Sequence, residues 1–197
     1  SSQNISSTNL NNADVISISQ EAGKSCIQVF FYRSKQNWGN QPFFPSHDES
    51  HTEEEVLSSF VAQFYENKNV PVEILINKKI KDLNLIKAAL EKKEKKLISI
   101  KVASKGNALK LSKMAEKNAK EALTRKIFES ETNTKLLDQV AEKFKLDILP
   151  RTIEVYDNSH IQGTSAVGAM IVAGPDGFNK KAYRKFNIRS VGMEADN

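Results

Sequence analysis

Apolar spacing divides the chain into alternating strand-like and helix-like stretches that give way to a run of strands. Cys26-Ile-Gln-Val-Phe-Phe-Tyr32 is dense in β-formers, and a polar stretch separates it from Pro42-Phe-Phe-Pro45. This predicts a hairpin whose turn includes Asn37-Trp38-Gly39-Asn40. After Thr52 and the acidic run Glu53-Glu54-Glu55, the residues Val56, Leu57, Phe60, Val61 and Phe64 recur at helical spacing. A helix therefore starts there, with carboxylates at the positive end of its dipole. Val72–Ile76 and Leu97–Val102 predict two short strands, and Leu83, Ile86 and Leu90 mark an amphipathic helix between them. The alternation implies an α/β domain with at least one parallel strand pair.

From about Asn107 to Lys145 the apolar positions keep a helical period, predicting one long helix or two broken near Thr132–Thr134. Beyond Pro150 the pattern changes to three strand-like runs, Thr152–Asp157, Ala166–Ala173 and Ala182–Ile188. The last two are joined by Gly174-Pro175-Asp176-Gly177, in which proline presets one dihedral and glycine accepts a positive φ. Short links of this kind make an antiparallel meander. Residues 1–20, beginning SSQNISSTNLNN, have little apolar content and read as a polar linker. No internal repeat is visible.

Composition narrows the classes. A chain of 197 residues, 39% of them hydrophobic, fits one or two soluble domains. Its longest apolar stretches, such as Ala166–Ala173, fall far short of the roughly 20 residues that span a bilayer, and no apolar signal core opens the chain. The expected location is cytoplasmic, with no membrane partner. The single cysteine, Cys26, excludes an internal disulfide and is most simply a small buried residue.

The net charge of +5 conceals an uneven layout, because residues 78–126 carry 16 basic and 5 acidic residues. Such a block attracts polyanions, nucleic acid among them, or else forms a solvated helical face. A second basic stretch, Phe178–Arg189, interleaves Lys180, Lys181, Arg184, Lys185 and Arg189 with three aromatics. It suits phosphate contact with stacking, or an exposed strand whose aromatics face a core. Trp38 is either a core anchor or an exposed contact. His47 and His51 lie in a polar loop without a metal-ligand pattern.

The densest chemistry is Ile153-Glu-Val-Tyr-Asp-Asn-Ser-His-Ile-Gln-Gly163, where an apolar strand ends in Asp157, Asn158, Ser159 and His160. An acid at a strand tip can hold a hard cation such as Mg²⁺, and equally can satisfy backbone groups of a polar turn.

Residues 150–190, above all IEVYDNSHIQGTSAVGAMIVAGPDGFNKKAYRKFNI, resemble the start of the C-terminal nuclease domain of the UvrC family of bacterial excinucleases. CIQVFFYRSKQNWGNQPFFP, FVAQFYENKNVPVEILI and MAEKNAKEAL resemble the family's central region, so the likeness runs from about Ala13 to Ser190. It implies an α/β chain whose central strand-helix domain, residues 21–146, precedes the first antiparallel strands of an RNase H-like nuclease domain, residues 147–190. The remaining residues, 191–197, form an atypical tail.

The family works with UvrA and UvrB and cuts damaged double-stranded DNA on both sides of a lesion, its C-terminal module making the 5′ cut with Mg²⁺ or Mn²⁺. The resemblance makes Asp157 a catalytic metal ligand, with Ser159 and His160 its motif neighbours. A second Asp, a downstream His and the UvrB-binding helical hairpin have no counterpart here, and Asp176, Glu194 and Asp196 are poor substitutes. The expected chain is thus a truncated family member that does not incise by itself and does not stably hold the ion. The alternatives are a non-catalytic module that binds DNA or a partner, and a gene remnant without function.

Overall fold

A computed structural model describes residues 11–161 and 164–187, with side chains described except at 158–161 and 164–166. The chain forms two compact units, one ending at Arg125 and the other beginning at Lys126.

The first unit is built on strands β1 (Asn12–Glu21), β2 (Lys24–Arg33), β3 (Gln36–Phe43), β4 (Glu73–Ile76) and β5 (Ser99–Val102). Their spatial order is β3-β2-β1-β4-β5. β1, β2 and β3 are antiparallel neighbours, whereas β4 runs parallel to both β1 and β5. Helix α1 (Glu53–Phe64) leads from β3 to β4, α2 (Leu83–Glu94) joins the parallel pair β4 and β5, and α3 (Gly106–Phe144) follows β5.

Alternate residues of the sheet feed two cores. Ile16, Ile18, Ile27, Val29, Ile74 and Ile76 pack with Val56, Leu57, Val61 and Phe64 of α1 and Leu90 of α2. Val15, Phe30, Tyr32 and Leu75 pack instead with Leu111 and Ala115 of α3. A sheet covered on both faces buries both sides of its middle strands, and β1 is buried without interruption from Ala13 to Ile18.

That strand corrects the expectation of a linker over residues 1–20, of which 1–10 lie outside the described residues. The polar residues of β1 hide it in the sequence, yet they are satisfied by distant partners. Ser17 donates to the Ser112 carbonyl at 2.9 Å, and Asp14 accepts from Arg33 and Tyr65, each at 2.7 Å. The β2–β3 turn also differs from expectation. It is Ser34-Lys35, both at positive φ as a two-residue hairpin turn requires, while Asn37-Trp38-Gly39-Asn40 lie within β3.

The start of α1 is as the sequence predicts. Thr52 Oγ1 accepts the Glu55 N–H at 3.3 Å, the Glu55 carboxylate accepts the Thr52 N–H at 3.0 Å, and Lys81 donates to Glu55 at 2.6 Å. The Lys81 hydrogen bond first, and those of Thr52 after it, hold the Glu55 carboxyl at about 2, below its ordinary 4.5. A depressed carboxyl pKa gives stability that is complete above the ordinary value and is lost as pH falls through the folded one. An NMR titration should therefore place the Glu55 midpoint near 2, with Lys81→Met moving it upward. A midpoint that ignores this substitution would contradict the assignment.

The second unit contains the last turns of α3 and a sheet of β6 (Ile153–Ile161), β7 (Thr164–Gly174), β8 (Gly177–Phe178) and β9 (Arg184–Asn187). β7 pairs antiparallel with β6 on one side and with β8 and β9 on the other, a meander interrupted by a 3-10 turn at Lys180–Ala182. The Pro175-Asp176 turn is fixed to α3 by Lys126 Nζ, which donates to the Asp176 carbonyl at 3.0 Å, and by Ser130 Oγ, which donates to its carboxylate at 3.2 Å. α3 is one helix and does not break at Thr132–Thr134. The hydroxyls of Thr132 and Thr134 donate to carbonyls one turn back, which accommodates both residues inside it.

Candidate functional site

Asp157 sits in the middle of β6, exposed and paired with Ala169 of β7, which is paired in turn with Lys185 of β9. Residues directly opposite one another share a sheet face, so Asp157, Ala169 and Lys185 form one row. Two strand spacings separate the ends of that row by about 10 Å. The small Ala169 between them leaves the acid and the cation open on the same face.

The neighbouring row carries Tyr156, Met170 and Arg184 on the opposite face. There the Tyr156 hydroxyl donates to Glu154 at 2.7 Å, and that carboxylate raises the phenol pKa. The basic strand predicted at Phe178–Arg189 is thus split. Lys185 shares the Asp157 face. Arg184 does not, and its guanidinium is bound back to the Lys181 and Tyr183 carbonyls. Lys180 and Lys181 are exposed in the 3-10 turn, and Arg189 lies outside the described residues. Ser159 and His160 are placed in β6 by their backbone, with side chains outside the description, as are Glu194 and Asp196 entirely.

Asp176 is not brought to Asp157. Ala169 and Gly174 are five positions apart along β7, about 17 Å of strand, and the Asp176 turn lies beyond Gly174. A hard cation takes six or more oxygen ligands, of which a binding site supplies several. Among the described residues no three His, Cys, Asp or Glu side chains gather as a metal group would require. RNase H-like nuclease folds generally use divalent cations, and among the described residues Asp157 is not joined by a second carboxylate or imidazole on its row.

In the first unit, β1 is the strand that corresponds to β6, since each leads an antiparallel row of three. Its one interior acid, Asp14, is 1% exposed and fully engaged by Arg33 and Tyr65. The first unit therefore offers no open carboxylate at that place.

The basic block at 78–126 divides structurally. Lys78, Lys81, Lys87, Lys93, Lys96 and Lys101 pair with glutamates. On α3 the exposed Lys110, Lys113, Lys117 and Lys120 recur at steps of three and four, which aligns them along one stripe about 15 Å long. Of these only Lys117 has a carboxylate partner among the described residues, Glu121 at 3.8 Å. The last three line an open groove of about 560 Å³ with Ser19, Gln20, Glu21 and Glu116. No helix among the described residues is long and apolar enough to cross a membrane.

A mixed sheet of three antiparallel strands continued by two parallel ones, with helices on both faces, is the arrangement of RNase H-like proteins, and the second unit repeats its antiparallel half. Comparison with known families agrees. The model described as "UvrC Ribonuclease H-like domain" matches residues 12–126, and "UvrC RNAse H endonuclease domain" matches 141–197. UvrABC system protein C of Chelativorans sp. (strain BNC1) is 50% identical over 191 residues, covering 97% of this chain and 29% of that protein. The Rhodopseudomonas palustris (strain HaA2) protein is 51% identical over 193 residues, covering 98% and 28% respectively. The Maricaulis maris (strain MCS10) protein is 48% identical over 187 residues, covering 95% and 30%.

The chain belongs to the UvrC family. It spans under a third of the length of these relatives. The sequence places RNase H-like character after residue 146 only, whereas the first match shows that it already begins at residue 12. Strand order reveals that kinship, and strand order is set by pairing between residues remote in the chain.

Proposed function

We propose that the chain is part of an excision nuclease that incises damaged DNA in nucleotide excision repair, acting with UvrA and UvrB. The observation that carries this is Asp157, an open acid in mid-strand on the leading strand of a nuclease-type sheet, with Lys185 on the same face. In that role Asp157 supplies one oxygen donor to a Mg²⁺ or Mn²⁺ ion whose other ligands come from further acids. Lys185 faces a phosphate of the strand to be cut. Among the described residues Asp157 has no companion ligand, and on this reading residues 1–197 do not cut by themselves.

A second reading concerns the first unit, whose α3 stripe of lysines, of which only Lys117 has a carboxylate partner among the described residues, docks on the phosphate backbone. Four phosphate contacts would weaken binding about a hundred-fold between 50 and 200 mM salt. One assay tests both. Residues 1–197 are mixed with damaged duplex, UvrA, UvrB and Mg²⁺. Salt-sensitive binding without a nick is expected, with Lys113→Glu/Lys117→Glu/Lys120→Glu abolishing most of the binding. A 5′ nick removed by Asp157→Ala would overturn the non-cutting reading, and binding indifferent to salt would remove the docking one.

A further inference from the structure

The register of β3 against β2 shifts between Phe31, opposite Gly39, and Tyr32, opposite Asn37, leaving Trp38 as the extra residue of a β-bulge. A bulge re-aims the side chain it carries. The Gly39 backbone on its flank adopts a φ of 127°, which side-chain-bearing residues resist. Trp38 is 72% exposed, although an indole of that size ordinarily buries most of its surface. It borders a cleft of about 380 Å³ that is lined also by Arg33, Phe64, Lys68 and Asn69. This volume lies in the range of sites that hold a nucleotide-sized ligand.

The charged groups of this cleft are fixed in place. Arg33 Nη1 donates to the Ala13 and Tyr32 carbonyls and to Asp14, while the side chain keeps 27% of its surface exposed. Lys68 Nζ sits 4.4 Å above the Phe64 ring centroid. The cleft's one carboxylate, Asp14, is buried and saturated. An incoming ligand therefore meets a flat aromatic face, two cations and the Asn69 amide, with no accessible negative charge.

We propose that this cleft binds an unstacked nucleobase on Trp38, with its phosphate on Lys68 and the outer edge of Arg33. Aromatic platforms beside cations serve single-stranded nucleic acid in this way, whereas a paired base keeps its faces covered by its neighbours. The site belongs to the α1 face of the sheet and the α3 stripe to the other, so it takes a different part of the ligand. It rests on the reading that this chain works on nucleic acid.

Trp38 is the chain's single tryptophan, so intrinsic emission reports this site alone. Residues 1–197 are titrated with a labelled oligothymidylate and with a duplex of equal phosphate number, following Trp38 emission and label anisotropy together. Saturable quenching by the single strand, much weaker with the duplex, is expected. Trp38→Ala should weaken single-strand affinity about 5- to 150-fold, the range set by loss of one base stack. Trp38→Phe should restore most of it, and Lys68→Met should reduce it. Anisotropy that rises with Trp38 emission unchanged, or quenching equal for the duplex, overturns the inference while leaving the proposed function standing. Absence of any binding overturns the inference together with the α3 docking reading, and circular dichroism of each exposed-site variant verifies that it is folded.

Discussion

Replacing Asp14 by alanine is expected to destabilise the first unit by about 3 kcal/mol, the low end of the range for breaking a buried ion pair, since Arg33 is partly exposed. The carboxylate accepts from Arg33 with one oxygen and from Tyr65 with the other, both at 2.7 Å. Tyr65 is 1% exposed, so its hydroxyl would be left buried without an acceptor. Tyr65→Phe removes one hydrogen bond but leaves the Arg33 pair, and should cost only about 1–2 kcal/mol.

The two substitutions share a partner and so should not add, which a double-mutant cycle measures. Burial, and then the adjacent Asp14, push the Tyr65 phenol well above its ordinary 10.0. The stability this group contributes is complete below that value and falls as pH rises through the folded one. A loss below about 1 kcal/mol for Asp14→Ala, read by hydrogen exchange of the β1 and β2 amides, would show that solvent replaces the carboxylate.

Leu111→Ala is expected to cost a similar amount, about 3 kcal/mol. Leu111 is fully buried, and on α3 it lies with the small Ala108 and Ala115 and the partly buried Met114, with Val15, Phe30, Tyr32 and Leu75 of the sheet opposite. Helix alanines have no side chain to extend into the space, and the strands are held by pairing on both sides. Only Met114 can lean into the space, so most of the cavity persists and the loss lies above that of transfer alone. Leu97, 86% exposed in the same unit, provides the control, and its alanine variant should fall within about 0.5 kcal/mol of the parent. Protection of the β1 amides distinguishes the two. An equal effect at both positions would mean that α3 does not rest on the sheet through Leu111.

What was legible in the sequence was local. The Thr52 capping box, the α2 and α3 stripes, the short strands after Pro71 and Leu97, and the Pro-Asp-Gly turn each depend on residues a few positions apart, and each is found where expected. β1 was not legible, because Asp14 and Ser17 look solvated until their partners Arg33, Tyr65 and Ser112 are brought from as far as 95 residues away. Trp38 was drawn into a turn by its Asn and Gly neighbours. The turn lies instead at Ser34-Lys35, a pair without the usual glycine or asparagine signal.

At the candidate site the motif around Asp157 stood out, and the resemblance gave it a role. The row from Asp157 to Lys185 did not stand out, because strand register decides which of five basic residues faces the acid. The doubled topology was likewise hidden. Two sheets can share an order of strands while their sequences share no period.

Cys26 lies near the start of β2, opposite Ser19 of β1, with no exposed surface, and burial raises its thiol to about 11. The thiolate is the form that reacts with oxidants, electrophiles and soft metals. The chain's single sulfhydryl is thus withheld twice, by lack of access and by lack of ionisation, so the folded protein neither couples to a second copy through sulfur nor answers to the redox state around it. Any modification found at Cys26 dates from a moment when β2 had come away from its neighbours, which makes that sulfur a chemical record of opening.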